Sequence, residues 1–370
     1  MSSELKGVPS GRVVSIDAVR GFDMFWIVGG AEFFRALFEY LDSPLLQALS
    51  GQFGHSEWNG FTFYDLIFPL FLFIVGASMP FAIGRRLERG GSRRDLYIHV
   101  VKRTLTLLFL GFIYNGLLDF DFSGFRYTGV LHRIALCYFF AALIVMNTRV
   151  RGQAITAGLI LVLYWAVMKL VPVPGHGAGV LTPEGNLSGF IDRSLLPGSF
   201  CCYRFGDNEG ILSTVPAVAT TLIGVLAGQW LKSSSPQKKK VQGLLAAGAA
   251  CLAAGFIWDF AFPINKLIWT SSYVLWAAGW SLLLLGAFYW IIDVRGYSGW
   301  AFLFVVIGLN PITIYVADRI FDFGLIAGIF IHGFIDSLGS FKPVFWAFCV
   351  LLTEWLFLYF LYRKKIFLKA

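Results

Sequence analysis

Groups able to do acid–base chemistry collect at the start of one long apolar run, Gly54 to Met79, reading GHSEWNGFTFYDLIFPLFLFIVGASM. His55 is the sharpest candidate. An imidazole titrates near neutrality and can take a proton from an attacking group. Taken alone, a histidine at a helix mouth is more often a hydrogen-bonded interfacial residue. This one is followed at once by Glu57, Trp58 and Asn59. Asp65 comes ten residues after His55, too far to share a helix turn with it. It reads first as a helix-start carboxylate favoured by the dipole, and second as a group that orients another side chain.

Other polar groups sit inside apolar runs, where each needs a reason. Asp17, Arg20 and Asp23 are spaced i, i+3, i+6, within helical reach of one another. They make either an internal salt bridge or an arginine that binds an anion entering from the cytoplasm. His132 and Arg133, in GVLHRIALCYFF, open another run. Arg133 either snorkels or lines a cavity as a phosphate-binding cation, and the apolar residues after it favour the cavity. Asn310 precedes Pro311 in an apolar segment, which implies a kink that exposes carbonyls. His99, His176 and His332 have no such company. There is no P-loop, GxSxG, HExxH or paired-cysteine metal motif. Cys201 and Cys202 are adjacent, a poor geometry for a structural bridge.

The elements that must carry these residues are membrane helices. Of 370 residues, 57% are hydrophobic and only 14% charged, against about 25% charged in soluble domains. Apolar segments at about 13–31, 62–84, 100–118, 129–147, 153–171, 211–231, 241–262, 270–292, 299–317 and 343–362 each approach the roughly 20 residues that span a bilayer. The fold expected is an all-α polytopic membrane protein of about ten transmembrane helices, without a separate soluble domain. About two thirds of the basic residues fall in loops on the side shared by both termini. They include Lys6, Arg12, the Arg85–Arg94 and Lys238–Lys240 clusters, and the Arg363–Lys369 tail. Both termini are therefore expected in the cytoplasm. The net charge of +8 is read as topology, and no nucleic-acid site is expected. The polar start, MSSELKGVPSGR, is not expected to act as a cleavable signal peptide.

Three loops are then external: 32–61, 172–210 and 318–342. The second is rich in Gly and Pro and lid-like. The third is apolar but interrupted by Asp322, His332 and Asp336, and is expected to re-enter the membrane or lie on it. The basic loop at 232–240 separates a six-span part (1–231) from a four-span part (241–370) of a single membrane domain. No internal repeat is evident, so the inverted-repeat signature of many transporters is missing.

The blocks RVVSIDAVRGFDMFWIVGG, GHSEWNGFTFYDLIFPLFLFIVGASM, GVLHRIALCYFF, DNEGILSTVPAVATTLIGVLAGQWL, NKLIWTSSYVLWAAGWSLLLL and GLNPITIYVADRIF occur in this order. In these blocks the chain resembles the heparan-α-glucosaminide N-acetyltransferase family, in particular its bacterial relatives, from Arg12 to the last span. The resemblance implies transfer of an acetyl group from cytoplasmic acetyl-CoA to the amine of a glucosamine-type sugar or glycan on the far side of the membrane. It implies that His55 is catalytic, as general base or as transient acyl carrier. An asparagine implicated in the lysosomal member has no counterpart in Val28-Gly29-Gly30-Ala31, nor is that member's N-terminal luminal region expected here.

On this reading Arg20, Arg133 and His132 bind the CoA donor, and Glu57, Trp58, Asn59, Asp65 and Asn310 bind the acceptor. Acetyl-CoA is the acyl donor, no metal is needed, and membrane lipids and a second copy of the chain are the other expected partners. The expected location is a bacterial cytoplasmic (inner) membrane. A transporter for an amino sugar or other small solute is the alternative class. A transferase of another acyl group to a cell-envelope glycan is a third.

Overall fold

The computed structural model describes residues 13–88 and 90–367, without the side chains of Leu87 and Glu88. The polar start with Lys6 and Arg12, and also Arg89 and Lys369, lie outside the described residues. In chain order the helices are α1 (Val14–Phe25), α2 (Ala31–Leu41), α3 (Pro44–Ser50), α4 (Phe63–Glu88), α5 (Arg93–Tyr114), α6 (Val130–Asn147), α7 (Val150–Leu170), α8 (Leu187–Leu195), α9 (Ile211–Lys232), α10 (Gln237–Asp259), α11 (Ser271–Phe288), α12 (Phe302–Gly308), α13 (Pro311–Ile320), α14 (Phe323–Ile331) and α15 (Lys342–Arg363). Two minimal hairpins, Pro172–Val173 with Gly177–Ala178 and Cys202–Tyr203 with Gly206–Asp207, shape the 172–210 loop.

The protein is an all-α polytopic membrane protein. Among the described residues, eight helices are long and apolar enough to cross a membrane, and the bent pair α12 and α13 makes a ninth if it is one span. The tenth expected segment is the first. Its helix α1 has 12 residues, about 18 Å at 1.5 Å per residue. It continues into a π turn, Trp26–Gly30, where Gly29 takes φ 143°, before α2 begins. The expected kink at Asn310–Pro311 is a full break: α12 and α13 meet at 72°. Pro311 cannot donate to a preceding turn, so the chain restarts a helix there with proline at its first position. The 318–342 stretch forms α14, nine residues long, and a 3-10 turn at Ile335–Phe341. Neither piece alone can span a bilayer.

Packing divides the chain into two units. One comprises Met1–Ser56, Thr62–Phe71 and Leu284–Ala370; the other comprises Glu57–Phe61 and Leu72–Leu283. In the first, α1 and α12 touch backbone to backbone. A Cβ on Gly21 would stand 1.7 Å from the Phe304 carbonyl oxygen, and one on Gly308 2.0 Å from that of Asp17. Small residues at such crossings replace the hydrophobic drive that lipid removes. Asp293 caps α1 by accepting from the amides of Val14 (3.1 Å) and Ser15 (3.0 Å), two of the donors that every helix start leaves over.

In the second unit, α9 is the central helix and touches α6 and α7. It also meets the 72–88 half of α4, where a Cβ on Gly224 would stand 2.0 Å from the Phe73 carbonyl oxygen. A separate apolar cluster of Tyr164, Met168, Val173, Leu187, Phe262 and Ile268 underlies the 172–210 loop.

Candidate active site

The head of α4 builds the first part of the site. Thr62-Phe63-Tyr64-Asp65 is a capping box. The Thr62 hydroxyl accepts from the Asp65 amide at 3.3 Å, and Asp65 Oδ2 accepts from the Thr62 amide at 3.2 Å. The same Oδ2 accepts from the Ser56 amide (3.1 Å) and the Ser56 hydroxyl (2.9 Å). The Thr62 hydroxyl also lies 2.6 Å from the Gly54 carbonyl oxygen, to which it donates. These bonds fold the chain back from Thr62 onto Gly54 and leave Asp65 Oδ1 facing His55.

His55 Nδ1 lies 2.8 Å from Asp65 Oδ1. Asp65 is fully buried, whereas the imidazole is 52% exposed. The ring of Tyr64 stands 5.0 Å from that of His55. A buried carboxylate on Nδ1 fixes the tautomer with the Nδ1 proton directed to Asp65. The basic lone pair is then on Nε2, the arrangement that a general base requires.

Glu57–Phe61 belong to the other unit. Trp58 donates from Nε1 to the Leu181 carbonyl at 2.9 Å, and its ring meets that of Tyr203 edge-on at 5.2 Å. Asn59 Oδ1 accepts from Asn265 Nδ2 at 3.1 Å. Glu57 is exposed. Trp58 is therefore anchored to the 172–210 loop.

His132 and Arg133 are neighbours in sequence but face different elements, as adjacent helix positions must. His132 packs in α5, 4.5 Å from the Phe112 ring and against the space where Gly111 has no side chain. Arg133, only 1% exposed, faces α9. It donates to Ser213 Oγ and, at 3.3 Å, to Thr214 Oγ1. Its Cζ lies 4.7 Å over the Trp269 ring, a cation–π contact. Its Nη1 has no hydrogen-bond partner. A buried guanidinium with a spare donor suits a phosphate or carbonyl oxygen.

Arg20 pairs with Asp17 (Nη1 to Oδ1, 2.8 Å) and donates to the Gly308 carbonyl at 3.3 Å. Asp23, also within its helical reach, is fully buried, and neither of its oxygens has a partner. Asn310, buried at the α12–α13 break, donates from Nδ2 to the Ile366 carbonyl at 3.0 Å.

Charge fixes the 172–210 loop. Arg126 grips Asp207 bidentately, Nε to Oδ2 at 2.7 Å and Nη2 to Oδ1 at 2.6 Å, and also bonds Glu209. Burial would raise the Asp207 carboxyl, but the Arg126 hydrogen bonds and charge hold it below the usual carboxylate range. Asp192, fully buried on α8, accepts from the amides of Asp207 (3.2 Å) and Ile211 (2.9 Å). Burial nonetheless pushes its carboxyl up to about 6. The sulfurs of Cys201 and Cys202 lie side by side in this loop. Cys202 is left-handed, with φ 77°, and this turn brings the two neighbouring sulfurs together.

Sequence reasoning singled out His55 as a candidate but not its contact with Asp65. The Thr-x-x-Asp capping box was the available signal. The partners of Arg133 lie in the ILST and IWTSS stretches, far along the chain, and carried no signal beyond their polar types.

A family model described as a domain of unknown function (DUF5009) matches residues 12–116. Heparan-alpha-glucosaminide N-acetyltransferase of Homo sapiens is 28% identical over 373 residues, which covers 84% of this chain and 53% of that protein. The protein of the same name from Mus musculus is 28% identical over 331 residues, 73% of this chain and 49% of that protein. The chain thus spans about half the length of the curated relatives it matches. By six ordered sequence blocks and 28% identity over most of its length, the chain is similar to the heparan-alpha-glucosaminide N-acetyltransferases.

Proposed function

We propose that the protein is a transmembrane N-acetyltransferase that moves the acetyl group of cytoplasmic acetyl-CoA to the amine of a glucosamine-type sugar outside. The observation that carries this reading is the 2.8 Å contact of His55 Nδ1 with the buried Asp65, in a relative of N-acetyltransferases. The acceptor ammonium sheds one proton to become a nucleophile. Its nitrogen then attacks the thioester carbonyl carbon, and His55 Nε2 takes the second proton as the C–N bond forms. The C–S bond breaks, and the proton passes from His55 to the departing CoA thiolate. The products are the N-acetyl sugar, free CoA and one released proton. Asp65 stabilises the imidazolium between these steps and holds its ring in place.

His55 as a transient acyl carrier is the other route. The Asp65 contact favours the base, because it supplies negative charge where the imidazolium forms. Arg20 and Arg133 are assigned to anionic or carbonyl oxygens of the donor, and Trp58, Glu57 and Asn59 to the acceptor.

Detergent-purified protein incubated with acetyl-CoA and glucosamine tests the reading. Amine-dependent release of free CoA is expected. A solute carrier would release none. An acetyl group trapped on His55, detected by mass, would replace the general base with the acyl carrier.

A further inference from the structure

Among the described residues, Asp23 is a buried acid that nothing in its surroundings accounts for. It is fully buried in α1, and neither carboxyl oxygen has a hydrogen-bond partner. The arginine three residues before it is turned to Asp17 and the Gly308 carbonyl. A buried acid without a partner in an apolar helix is costly, and such residues commonly mark ligand or proton paths.

One turn further on, Trp26 carries a second orphan: its indole N–H is also buried without a partner. A lone acceptor and a lone donor thus stand one helical turn apart. Aromatic rings surround Trp26: Phe34 at 5.4 Å, Phe53 at 5.3 Å and Phe63 at 5.0 Å. Phe53 lies two residues before His55, and Phe63 two before Asp65. The ring of Tyr64, next to Phe63, stands 5.0 Å from that of His55. All of these residues belong to one packed unit.

We propose that Asp23 and Trp26 form the anchor for the acceptor's amino group. Resting on the acetyl-transfer reading, this makes Asp23 a specificity-determining residue for amine acceptors. A buried carboxyl without a partner, one turn from a tryptophan ringed by aromatics, suits a primary amine, which supplies donors and, as ammonium, a charge that aromatic faces attract. An anion would be repelled. A metal ion would need further ligands, and no group of three His, Cys, Asp or Glu suited to a metal occurs among the described residues. The indole N–H is then satisfied by a hydroxyl oxygen next to the amine, as on an amino sugar. The π turn that starts at Trp26 breaks the regular helix ladder beside these two orphans.

Binding of glucosamine and of N-acetylglucosamine is measured on the full chain in lipid nanodiscs, for wild type, Asp23→Asn and Trp26→Phe, alongside acetyl-CoA binding and CoA release. Asp23→Asn keeps the side-chain shape and removes the acid. It is expected to weaken glucosamine about 10- to 100-fold, with acetyl-CoA affinity within about twofold of wild type. Trp26→Phe is expected to weaken glucosamine about 2- to 10-fold, and it carries the test if Asp23→Asn does not fold. Wild type should prefer glucosamine to its N-acetylated form, and Asp23→Asn should lose that preference.

Equal glucosamine binding by wild type and both variants overturns the proposal, even if CoA release stands. So does a parallel fall in acetyl-CoA affinity, which would give Asp23 to the donor. If wild type releases no CoA but binds glucosamine through Asp23, the amine anchor stands and the transferase reading falls.

Discussion

Asp65 Oδ1 stands 2.8 Å from His55 Nδ1, although ten positions separate the two residues. The contact exists because Thr62 and Ser56 both bond the other oxygen of the same carboxylate. One acid therefore serves as helix cap, loop clasp and partner to the imidazole.

Asp65→Asn is expected to keep the fold and lower kcat for acetyl transfer by about 10²- to 10⁴-fold, with KM values for both substrates changed far less. An amide can still accept from the loop but cannot offset charge on the imidazolium. Steady-state kinetics on the purified variant check this. A proportional loss of folded protein and of activity would reduce Asp65 to a structural cap.

Arg133→Lys is expected to raise the KM for acetyl-CoA about tenfold or more with little change in the KM for the amine. Lysine keeps the charge but loses the planar fork that bonds Ser213 and Thr214 and stacks on Trp269. Unchanged donor KM would return Arg133 to a packing role.

The membrane helices were legible in the sequence because lipid demands long apolar runs, and such runs need no partner to be recognised. His55 was legible from its residue type at a helix mouth. The contact with Asp65 was not, because it depends on how the 54–62 loop folds back. The spacing of Asp17, Arg20 and Asp23 suggested that one arginine could satisfy two acids. Close packing of Gly21 and Gly308 brings the Gly308 carbonyl within reach of Arg20 instead, and Asp23 is left alone. Spacing along a helix shows which residues can meet, while the neighbouring helix decides which do. The same holds for His132 and Arg133, read together in sequence but turned to α5 and α9.

Arg126→Ala is expected to destabilise the 172–210 loop by about 3–5 kcal/mol, since it strands the buried Asp207 without its cation. Limited proteolysis or hydrogen exchange in detergent would show the loop opening before the helices melt. The double variant Arg126→Ala with Asp207→Asn should recover part of the loss, because no unpaired charge remains. Equal protection of the loop in wild type and Arg126→Ala would contradict the assignment.

Asp192 gives a pH signature. Its carboxyl is raised to about 6 in the fold by burial, against about 3.9 in an unfolded chain. Between these values the folded state binds the extra proton, so the contribution of Asp192 to stability is greatest at low pH and is lost as pH rises through 6. Asp192→Asn removes this dependence. Its melting temperature minus that of wild type should climb from pH 4.5 to 7, whatever the sign at either end. A difference that stays flat would mean that the buried carboxyl titrates as it does in water.

The most direct test of the central claim compares wild type with His55→Ala at matched folded concentration, measuring free CoA released from acetyl-CoA with and without glucosamine. Amine-dependent release in wild type and a loss of at least about 100-fold in His55→Ala are predicted. Release by His55→Ala at the wild-type rate would contradict the account.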